Sequence, residues 1–575
     1  MSGTPVPYRT ILDAIVRNAE EQSDRLAFAY SDDGGPNGST RTFRELRDRA
    51  RSVAAHILSH AKAGDRAILY FSPGLEFIEA FYGCLFAGVI AVPVPYPAFL
   101  RDKTLDRLGA IIDDCRPQLI LCTARTLLDR EKYVEQTPSL GPLLWLPTEP
   151  LEGASDLREM VVLAPETELA FLQYTSGSTS SPKGVMVTHD NLLHNATLLS
   201  EAGGTSRAST YAGWLPHYHD MGLLAQIAVA TVSGFSSHLM SPLYFLQRPA
   251  RWLRAIGRLR ATHSGAPNFA YDYCVRKIKA TEIDDLRLET WTCAFTGAEP
   301  ILARTLRAFE EKFGPSGFSR ASFQPGYGLA ESTLFVTGNP LGQPFRTVSL
   351  DTHTLEKFQK VSEPRPGMPM AELVSSGIAR GNEVRVMQPH TSEMLGEGII
   401  GEIVISGRSV AAGYWERPLE STNAFGTRCE GKSWLRTGDL GFLQEGHLFI
   451  TGRIKDLLIF DGRNVYPQDI ELALAPLVPR VRENGIVAFG AGPEQKDLVV
   501  VVERSVEFAG TNDAAAELAR ESQSIIANTM DLPLRTFVIL AAGALPRTSS
   551  GKVRRQPTRL AFESGELDTK HIVHL

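Results

Sequence analysis

The sequence predicts an α/β protein, with a large N-terminal domain of helix-covered sheets followed by a smaller C-terminal domain. Short apolar runs such as "RAILYF", "QLILCTA" and "ELAFLQY" alternate with stretches of helical periodicity through most of the 575 residues. Strands that alternate with helices in this way form parallel sheets whose faces the helices cover. A chain of this length also buries more than one core, which predicts at least two domains.

The boundary between the two domains is expected near residues 452–456, where "GRIKDLL" separates two strand-like runs. The remaining stretch of about 120 residues is charged and large enough to fold as one domain. We therefore predict an N-terminal domain at residues 1–453 and a C-terminal domain at residues 454–575.

The composition argues against several classes of protein. A net charge of −6 and a pI near 6.2 leave no basic surface of the kind that binds nucleic acid. The six cysteines contain no C-x-x-C pair, which predicts reduced thiols in a cytoplasmic protein rather than disulfides or a zinc site.

One uncharged stretch, residues 80–100, is long enough to span a membrane. Prolines at positions 93, 95 and 97 interrupt it, and a helix does not tolerate such a cluster. We interpret "EFIEAFYGCLFAG" as an amphipathic helix and "VIAVPV" as a buried strand. The sequence therefore predicts no transmembrane segment.

The segment "YTSGSTSSPKGV", residues 174–185, combines hydroxyls, glycines and a lysine, which favours phosphate binding. It is not a P-loop, in which Gly-Lys-Ser/Thr opens a helix, because Pro182 precedes Lys183 and Gly184 follows it. Strand-forming residues flank the segment on both sides and predict the tip of a β-hairpin. Helical periodicity starts only at "HDNLLHNATLLSEA", with Asp190 as the expected N-cap.

Five further stretches place glycine beside polar or charged residues at the ends of predicted strands. They are "LPHYHDMGL" (215–223), "TGAEP" (296–300), "PGYGLAES" (325–332), "LRTGDLG" (435–441) and "GRIKDLLIFDGRNVYPQDIE" (452–471), and "PRTSSGKVRR" follows near the C-terminus. Any one of them alone is typical of an ordinary turn. Together, and in this order, they resemble the adenylate-forming superfamily of acyl-CoA synthetases, luciferases and peptide-synthetase adenylation domains. The resemblance implies a mobile C-terminal α+β domain, with the active site at the domain interface.

The resemblance also implies an ATP site. Joining a carboxylate to the α-phosphorus of ATP brings two anions together, so the protein must supply positioning and charge neutralisation. Mg²⁺ prefers hard oxygen ligands and is expected at Glu331, with Thr175 nearby. The implied nucleotide-binding residues are Thr175, Ser176, Gly177, Ser178, Thr179 and Lys183 at the phosphates, Gly297, Ala298, Glu299, Gly326 and Tyr327 at the adenine, with Gly328 in the same stretch, and Asp439 and Arg453 at the ribose. For Asp439 a simple turn residue is the competing interpretation.

Three residues are expected to carry the chemistry. By resemblance, Lys552 bridges the acyl carboxylate and the α-phosphate, a task that suits a point charge on a long stem; the alternative is a solvated run of charges. His219 is expected to line the junction of acyl group and phosphate, and Glu331 completes the set. A zinc site at "HYHD" is disfavoured because no further ligands are suitably spaced. Lys455 falls at the hinge of the family.

Within the superfamily, three features resemble fatty acyl-AMP ligases. "YHDMGL" is the first; the second is the pair "SPLYFLQRPARWL" (241–253) and "SGAPNFAYDYC" (264–274). Their aromatic residues suit the wall of an acyl tunnel, although each also suits a core. The expected tunnel residues are Tyr244, Phe245, Trp252 and Phe269. The third feature is an insertion at about residues 350–375, with apolar positions at Leu355, Phe358, Val361 and Met368. In fatty acyl-AMP ligases such an insertion packs on the small domain and is taken to restrain the rotation that builds a coenzyme A site.

The resemblance therefore implies an enzyme that activates a fatty acid with ATP and Mg²⁺ to acyl-AMP and diphosphate. The acyl group is then expected to pass to the phosphopantetheine thiol of an acyl carrier protein, or of a carrier domain in a polyketide or peptide synthase. Two alternatives stay open: a long-chain fatty acyl-CoA synthetase, which acylates free coenzyme A, and a nucleotide-binding relative without catalysis.

Overall fold

The computed structural model describes residues 8–32, 35, 37–97, 104–149, 168–175, 182–352, 360–364, 370–460, 463–477, 480–492, 495, 497–508, 510–547 and 553–575. The helices are α1 (Ile11–Glu21), α2 (Phe43–Leu58), α3 (Leu75–Ala87), α4 (Thr104–Cys115), α5 (Ala124–Leu128), α6 (Arg130–Gln136), α7 (His189–Gly203), α8 (Asp220–Gly222), α9 (Val229–Ser233), α10 (Pro242–Gln247), α11 (Ala250–Leu259), α12 (Asn268–Lys277), α13 (Ala303–Phe313), α14 (Pro418–Phe425), α15 (Pro467–Ala473), α16 (Asn512–Met530) and α17 (Arg555–Glu563).

The first sheet holds strands in the order β6-β5-β3-β4-β7-β8, and all neighbours are parallel except β7 and β8. Its strands are β3 (Arg66–Leu69), β4 (Ile90–Pro93), β5 (Leu119–Cys122), β6 (Leu144–Pro147), β7 (Leu169–Thr175) and β8 (Lys183–Thr188). The antiparallel pair β7–β8 confirms the strands predicted on either side of the Ser/Thr-rich loop, and Thr175 lies opposite Lys183.

The second, larger sheet follows the order β18-β17-β19-β21-β22-β16-β14-β13-β12-β11-β9-β10-β1-β2, with β15 beside β16 and β20 beside β21. It is parallel from β10 to β13 and antiparallel from β13 to β18. Its strands are β1 (Leu26–Tyr30), β2 (Ser39–Thr42), β9 (Thr210–Gly213), β10 (Ser236–Leu239), β11 (His263–Gly265), β12 (Cys293–Thr296), β13 (Phe323–Gly328), β14 (Phe335–Gly338), β15 (Thr347–Asp351), β16 (Met370–Ala379), β17 (Glu383–Met387), β18 (Met394–Leu395), β19 (Gly401–Ser406), β20 (Thr427–Cys429), β21 (Lys432–Gln444) and β22 (His447–Arg453).

The C-terminal part has a sheet and a hydrophobic core of its own. A short hairpin, β23 (Leu458–Phe460) and β24 (Arg463–Val465), precedes a sheet of order β25-β26-β27-β28. The strands of that sheet are β25 (Val481–Ala491), β26 (Asp497–Arg504), β27 (Leu534–Leu540) and β28 (Thr569–His574). One hydrophobic cluster draws all of its members from residues 458–575. This separate core supports the proposed boundary between residues 453 and 454.

Two local predictions were wrong. Helix α7 is capped by Thr188, not Asp190: the Thr188 hydroxyl accepts a hydrogen bond from the Asn191 N–H at 3.0 Å, and the Asn191 side chain accepts one from the Thr188 N–H. Asp190 lies in the first turn instead. Helix α3 is not amphipathic, since almost every side chain is buried where it packs between α2 and strands β3 and β4.

The predicted insertion at residues 350–375 begins and ends inside strands. Strand β15 pairs with β16 from Thr347 opposite Val374 to Asp351 opposite Met370. Strand β16 also pairs with β14 and β22, so residues 370–375 belong to the large sheet. Leu355, Phe358 and Met368 lie outside the described residues. None of the helices in the described part of the chain has the length and apolar character that a membrane crossing requires.

Candidate active site

Glu331 lies in a tight turn between β13 and β14. The turn residue Thr333 has a φ of +65°, and its hydroxyl donates to the Ser409 carbonyl at 2.7 Å. Gly328, which ends β13, admits no side chain, because a Cβ there would lie 1.8 Å from the Leu334 carbonyl oxygen. A strained residue held by buried hydrogen bonds is typical of functional sites. Burial raises the pKa of Glu331, while a hydrogen bond from Tyr414 acts in the opposite direction.

Tyr414 connects Glu331 to Lys183. Its hydroxyl donates to Glu331 Oε1 at 2.8 Å, and Lys183 Nζ lies 5.0 Å from the centre of its ring. The main chain around Tyr414 runs along β8, with the Trp415 N–H bonded to the Gly184 carbonyl at 2.8 Å. One aromatic side chain therefore holds a carboxylate through its hydroxyl and a cation through its ring.

Lys183 also lies close to the predicted hinge. Partial burial lowers the pKa of Lys183, and the positive charge of Lys455 adds to this effect. Lys455 belongs to the 3₁₀ turn Ile454–Asp456, which follows β22 directly. Neighbouring like charges disfavour each other's charged form, and a bound anion such as a phosphate would offset that cost.

Asp439 and Arg453 lie opposite each other on the neighbouring strands β21 and β22. Asp439 is buried and accepts two hydrogen bonds, from the Tyr327 hydroxyl at 2.7 Å and from Arg453 Nε at 2.9 Å. It stands inside a long strand, so the interpretation as a simple turn residue does not fit. Because a carboxylate offers about four acceptor positions, capacity remains for further donors such as ribose hydroxyls.

The predicted adenine segment, residues 297–299, follows β12. A Cβ on Gly297 would lie 2.9 Å from the Gly326 carbonyl oxygen, so these two backbones are in close contact. Ala298 has a φ of +66°. The Glu299 carboxylate accepts the Phe269 N–H at 2.6 Å and thereby caps helix α12. The side chain of Glu299 thus connects the predicted adenine segment to helix α12, which carries one of the predicted tunnel residues.

Three of the four predicted tunnel residues lie around one further aromatic residue, Trp214. Phe245 stacks on Trp214 with ring centroids 3.9 Å apart, and Trp252 and Phe269 contact Trp214 edge-on. Trp252 is completely buried and its Nε1 donates to the Ser264 hydroxyl at 2.8 Å. Tyr244 lies under the guanidinium of Arg251. The core alternative fits Trp252 well, and a tunnel role for the four residues stays a prediction.

His219 occupies the turn that enters α8, and its Nδ1 lies 2.5 Å from Asp220 Oδ1. Two amide side chains hold this turn. Gln173 on β7 donates to the Tyr218 carbonyl at 3.1 Å, and Gln226 donates to the Leu215 carbonyl at 2.6 Å. Gln226 lies in a π-helical segment, Leu223–Ala228, a feature that often marks functional sites. The structure thus brings His219 next to the strand that leads into the Ser/Thr-rich loop.

Comparison with known proteins decides the family. The family model of AMP-binding enzymes matches residues 15–415. The chain belongs to the AMP-binding enzyme family. A medium-chain-fatty-acid–[acyl-carrier-protein] ligase of Moorena producens is 37% identical to this AMP-binding enzyme over 573 residues, which is 98% of this chain and 96% of the relative. A long-chain-fatty-acid–AMP ligase of Mycobacterium marinum is 35% identical, over 96% of this chain and 97% of the relative.

Solved structures agree with this assignment. The fatty acyl-adenylate ligase from L. pneumophila, crystallised with acyl adenylate and pyrophosphate, has a TM-score of 0.74 and 35% identity, over 99% of this chain and 98% of the other. The predicted α/β fold, a large sheet-rich domain followed by a smaller C-terminal domain, is confirmed for this AMP-binding enzyme.

Several predicted site residues lie outside the described part of the chain. They are Ser176, Gly177, Ser178, Thr179 and Lys552, and for Thr175 only the main chain is described. Arg554, two residues after Lys552, is nevertheless close to the site. Burial lowers the pKa of Arg107, and the charge of Arg554 adds to this effect. Arg107 donates to the Tyr174 carbonyl at 3.3 Å, next to the Ser/Thr-rich loop of the AMP-binding enzyme.

Sequence reasoning missed two side chains that shape the site of this AMP-binding enzyme. Tyr414 is one. Asn195, fully buried in α7, is the other: it accepts from the Phe335 N–H at 3.0 Å and donates to the Phe335 carbonyl at 2.9 Å, which fixes β14 beside the Glu331 turn. The available signal was Asn191 and Asn195, four residues apart on the buried side of one helix. Buried amides need partners, so such a pair predicts a neighbouring irregular backbone.

Proposed function

We propose that this AMP-binding enzyme is a fatty acyl-AMP ligase. A carboxylate oxygen of the fatty acid forms a bond to the α-phosphorus of ATP, the bond from that phosphorus to its bridging oxygen breaks, and diphosphate leaves. The observation that carries the proposal is the pair of charged groups that Tyr414 holds together, Glu331 and Lys183, with Lys455 close to Lys183. Relatives that match over nearly the whole chain bear the names of fatty acid ligases, which supports the choice of substrate.

In this proposal the nucleotide is held from two sides. Lys183 and the hydroxyl-rich residues 175–179 neutralise the β- and γ-phosphates. Asp439 and Arg453 bind the ribose, while Gly297, Ala298 and Tyr327 contact the adenine. The close backbone contact between Gly297 and Gly326 brings the two predicted adenine segments together, which supports a shared adenine site.

The donor set also fits Mg²⁺. Glu331 offers a hard carboxylate oxygen in a partly buried position, and Tyr414 fixes its orientation through a single hydrogen bond. When bound, Mg²⁺ shields the phosphate charges from the approaching carboxylate. Among the chain's own residues, Lys552 is proposed to neutralise the charge that grows between carboxylate and α-phosphate. His219 is proposed to line that junction and exclude water from it.

The acyl group is proposed to pass to a carrier protein. The phosphopantetheine thiol would attack the acyl carbonyl carbon, and AMP would leave. The relative from Moorena producens is named as a ligase of an acyl carrier protein, which supports this partner. We further propose that the enzyme acts in the cytoplasm.

The predicted restraint on the small domain is also supported by contacts. Leu350 and Val361 share one hydrophobic cluster with Leu457 and Tyr466, which follow the proposed domain boundary. These contacts stabilise the orientation of the C-terminal domain in which they form. An orientation without them has a higher free energy by that amount and is populated correspondingly less.

Two assays test the proposed function. ATP–diphosphate exchange should depend on added fatty acid, and a panel of short, medium and long acids defines the substrate. The panel includes a 4-hydroxyphenylalkanoic acid, because one relative is named a 4-hydroxyphenylalkanoate adenylyltransferase. Products with a holo acyl carrier protein should include the acyl thioester, while excess coenzyme A should give little acyl-CoA. If none of the acids in the panel stimulated ATP–diphosphate exchange, the proposed adenylation would be refuted. Efficient formation of acyl-CoA would favour an acyl-CoA synthetase instead.

A further inference from the structure

Glu503, on β26 of the C-terminal sheet, is a carboxylate with a completely buried side chain. A buried carboxylate is costly unless donors surround it. Three donors do so. Its Oε1 accepts the Leu545 N–H at 2.8 Å, and its Oε2 accepts Arg547 Nη2 at 2.7 Å and Arg482 Nη1 at 3.3 Å. Apolar packing of the same volume often stabilises a core as well, so the contacts of Glu503 are weak evidence for a role in stability alone.

Two of these three donors lie on one segment, the connection from β27 to α17. Arg547 forms an antiparallel bridge with Val553, and the Arg554 N–H donates to the Pro546 carbonyl at 2.8 Å. The two ends of the connection therefore lie side by side. Val553 also packs against the apolar face of the C-terminal sheet. Glu503 holds the first of these paired ends, and Lys552 is the residue that precedes Val553 in the chain.

We propose that Glu503 is a positioning residue for adenylate formation. Its carboxylate fixes Leu545 and Arg547, and through the pairing of Arg547 with Val553 it sets the position of the residue that follows Lys552 in the chain. The proposal rests on the catalytic role given above to Lys552. A displacement of about 1 Å between reacting groups lowers a rate by roughly 100-fold, so a fixed starting point for a long, flexible side chain has a kinetic consequence.

The test is Glu503→Gln. The amide keeps the volume but offers one acceptor atom, so either Leu545 or Arg547 loses its partner. We expect the kcat of acyl-AMP formation to fall roughly 10- to 100-fold, with little change in the KM for ATP or for the fatty acid. The matched control is Arg482→Gln. It removes a cation from the same buried carboxylate but leaves Leu545 and Arg547 held, so its kcat should stay close to that of the wild type even where its Tm falls.

Arg547→Gln provides a second variant at the other end of the same contact, in case Glu503→Gln does not fold. The double variant should have the kcat of the weaker single variant, because both changes release one segment. The proposal is overturned if Glu503→Gln lowers Tm without lowering kcat, if Arg482→Gln lowers kcat as much, or if the two changes multiply. Lys552→Ala separates the two levels of inference. If Lys552→Ala still makes acyl-AMP at a near-normal rate, Lys552 has no catalytic role. If Lys552→Ala loses most of its kcat while Glu503→Gln and Arg547→Gln keep the wild-type kcat, only the positioning role of Glu503 is overturned.

Discussion

Replacement of Asp439 by asparagine is the sharpest test of the proposed ribose contact. Asp439 accepts hydrogen bonds from Tyr327 and Arg453, so its replacement by alanine would take this hydrogen-bond partner from the buried Tyr327 hydroxyl. Asparagine keeps a partner there, because its carbonyl can accept from Arg453 while its amide donates to the Tyr327 oxygen. Asp439→Asn therefore removes the charge and keeps the shape.

The expected magnitude follows from the hydrogen bonds. A hydrogen bond to a charged acceptor contributes about 1.5–3 kcal/mol, against about 0.5–1.5 kcal/mol for a neutral one. The difference is about 1–1.5 kcal/mol for a ribose hydroxyl, and we take the lower end because the Arg453 side chain is 62% exposed and solvent screens the pair. The Kd for ATP should rise about fivefold. Asp439→Ala should weaken ATP binding further and also lower the Tm.

The assay is calorimetric titration of ATP into each variant, with fatty acid titrated separately and Tm measured in parallel. Tyr327→Phe is the matched control: it removes a donor from Asp439 without changing the charge, so the Kd for ATP should rise less than in Asp439→Asn. An Asp439→Asn variant with the wild-type Tm and an unchanged Kd for ATP would refute the ribose contact. An equal loss of fatty-acid affinity would show a general distortion instead.

Three further predictions concern the metal, the insertion and pH. Tyr414→Phe removes the hydrogen bond to Glu331 but keeps the ring beneath Lys183. The Mg²⁺ concentration that half-saturates the enzyme should then rise about 10-fold, as measured by calorimetry with ATP present. An unchanged concentration argues against Glu331 as the Mg²⁺ ligand. Because Asp351 lies opposite Met370, an Asn-Gly turn can replace residues 352–369 without cutting β16. This variant should still form acyl-AMP and should form more acyl-CoA than the wild type. A folded variant that makes no acyl-CoA excludes the insertion as the restraint on rotation of the C-terminal domain. Burial lowers the pKa of His189 in the folded protein to about 4. As the pH falls, His189 is therefore protonated in the unfolded chain before it is protonated in the folded protein. The free energy of unfolding should fall between about pH 6.5 and about pH 4, by about 1.4 kcal/mol per pH unit. His189→Gln should show a shallower slope in denaturant titrations across this range, and an identical slope would contradict the assignment.

Local pattern was sufficient where a single segment decides its own structure. The strands on both sides of the Ser/Thr-rich loop follow from runs of strand formers, and the parallel parts of the two large sheets follow from alternation with helices. The antiparallel part of the larger sheet, from β13 to β18, was not predicted. Local pattern failed where two local solutions compete. Thr188 and Asp190 both suit an N-cap, and the extended end of β8 places Thr188 at that position. It also failed for α3, because the sequence of one helix does not say how many neighbours will cover it.

What the sequence by itself determined is the family, the order of the motifs and the residue types that suit a nucleotide and a carboxylate. Only the tertiary structure decided how these residues are held. Tyr414 meets Glu331 across 83 positions, and Tyr327 meets Asp439 across 112. Glu503 lies 44 positions from Arg547. The physical reason is that a buried polar group must find a partner wherever the packed backbone brings one, and that choice depends on sheet order and register, which no segment encodes alone.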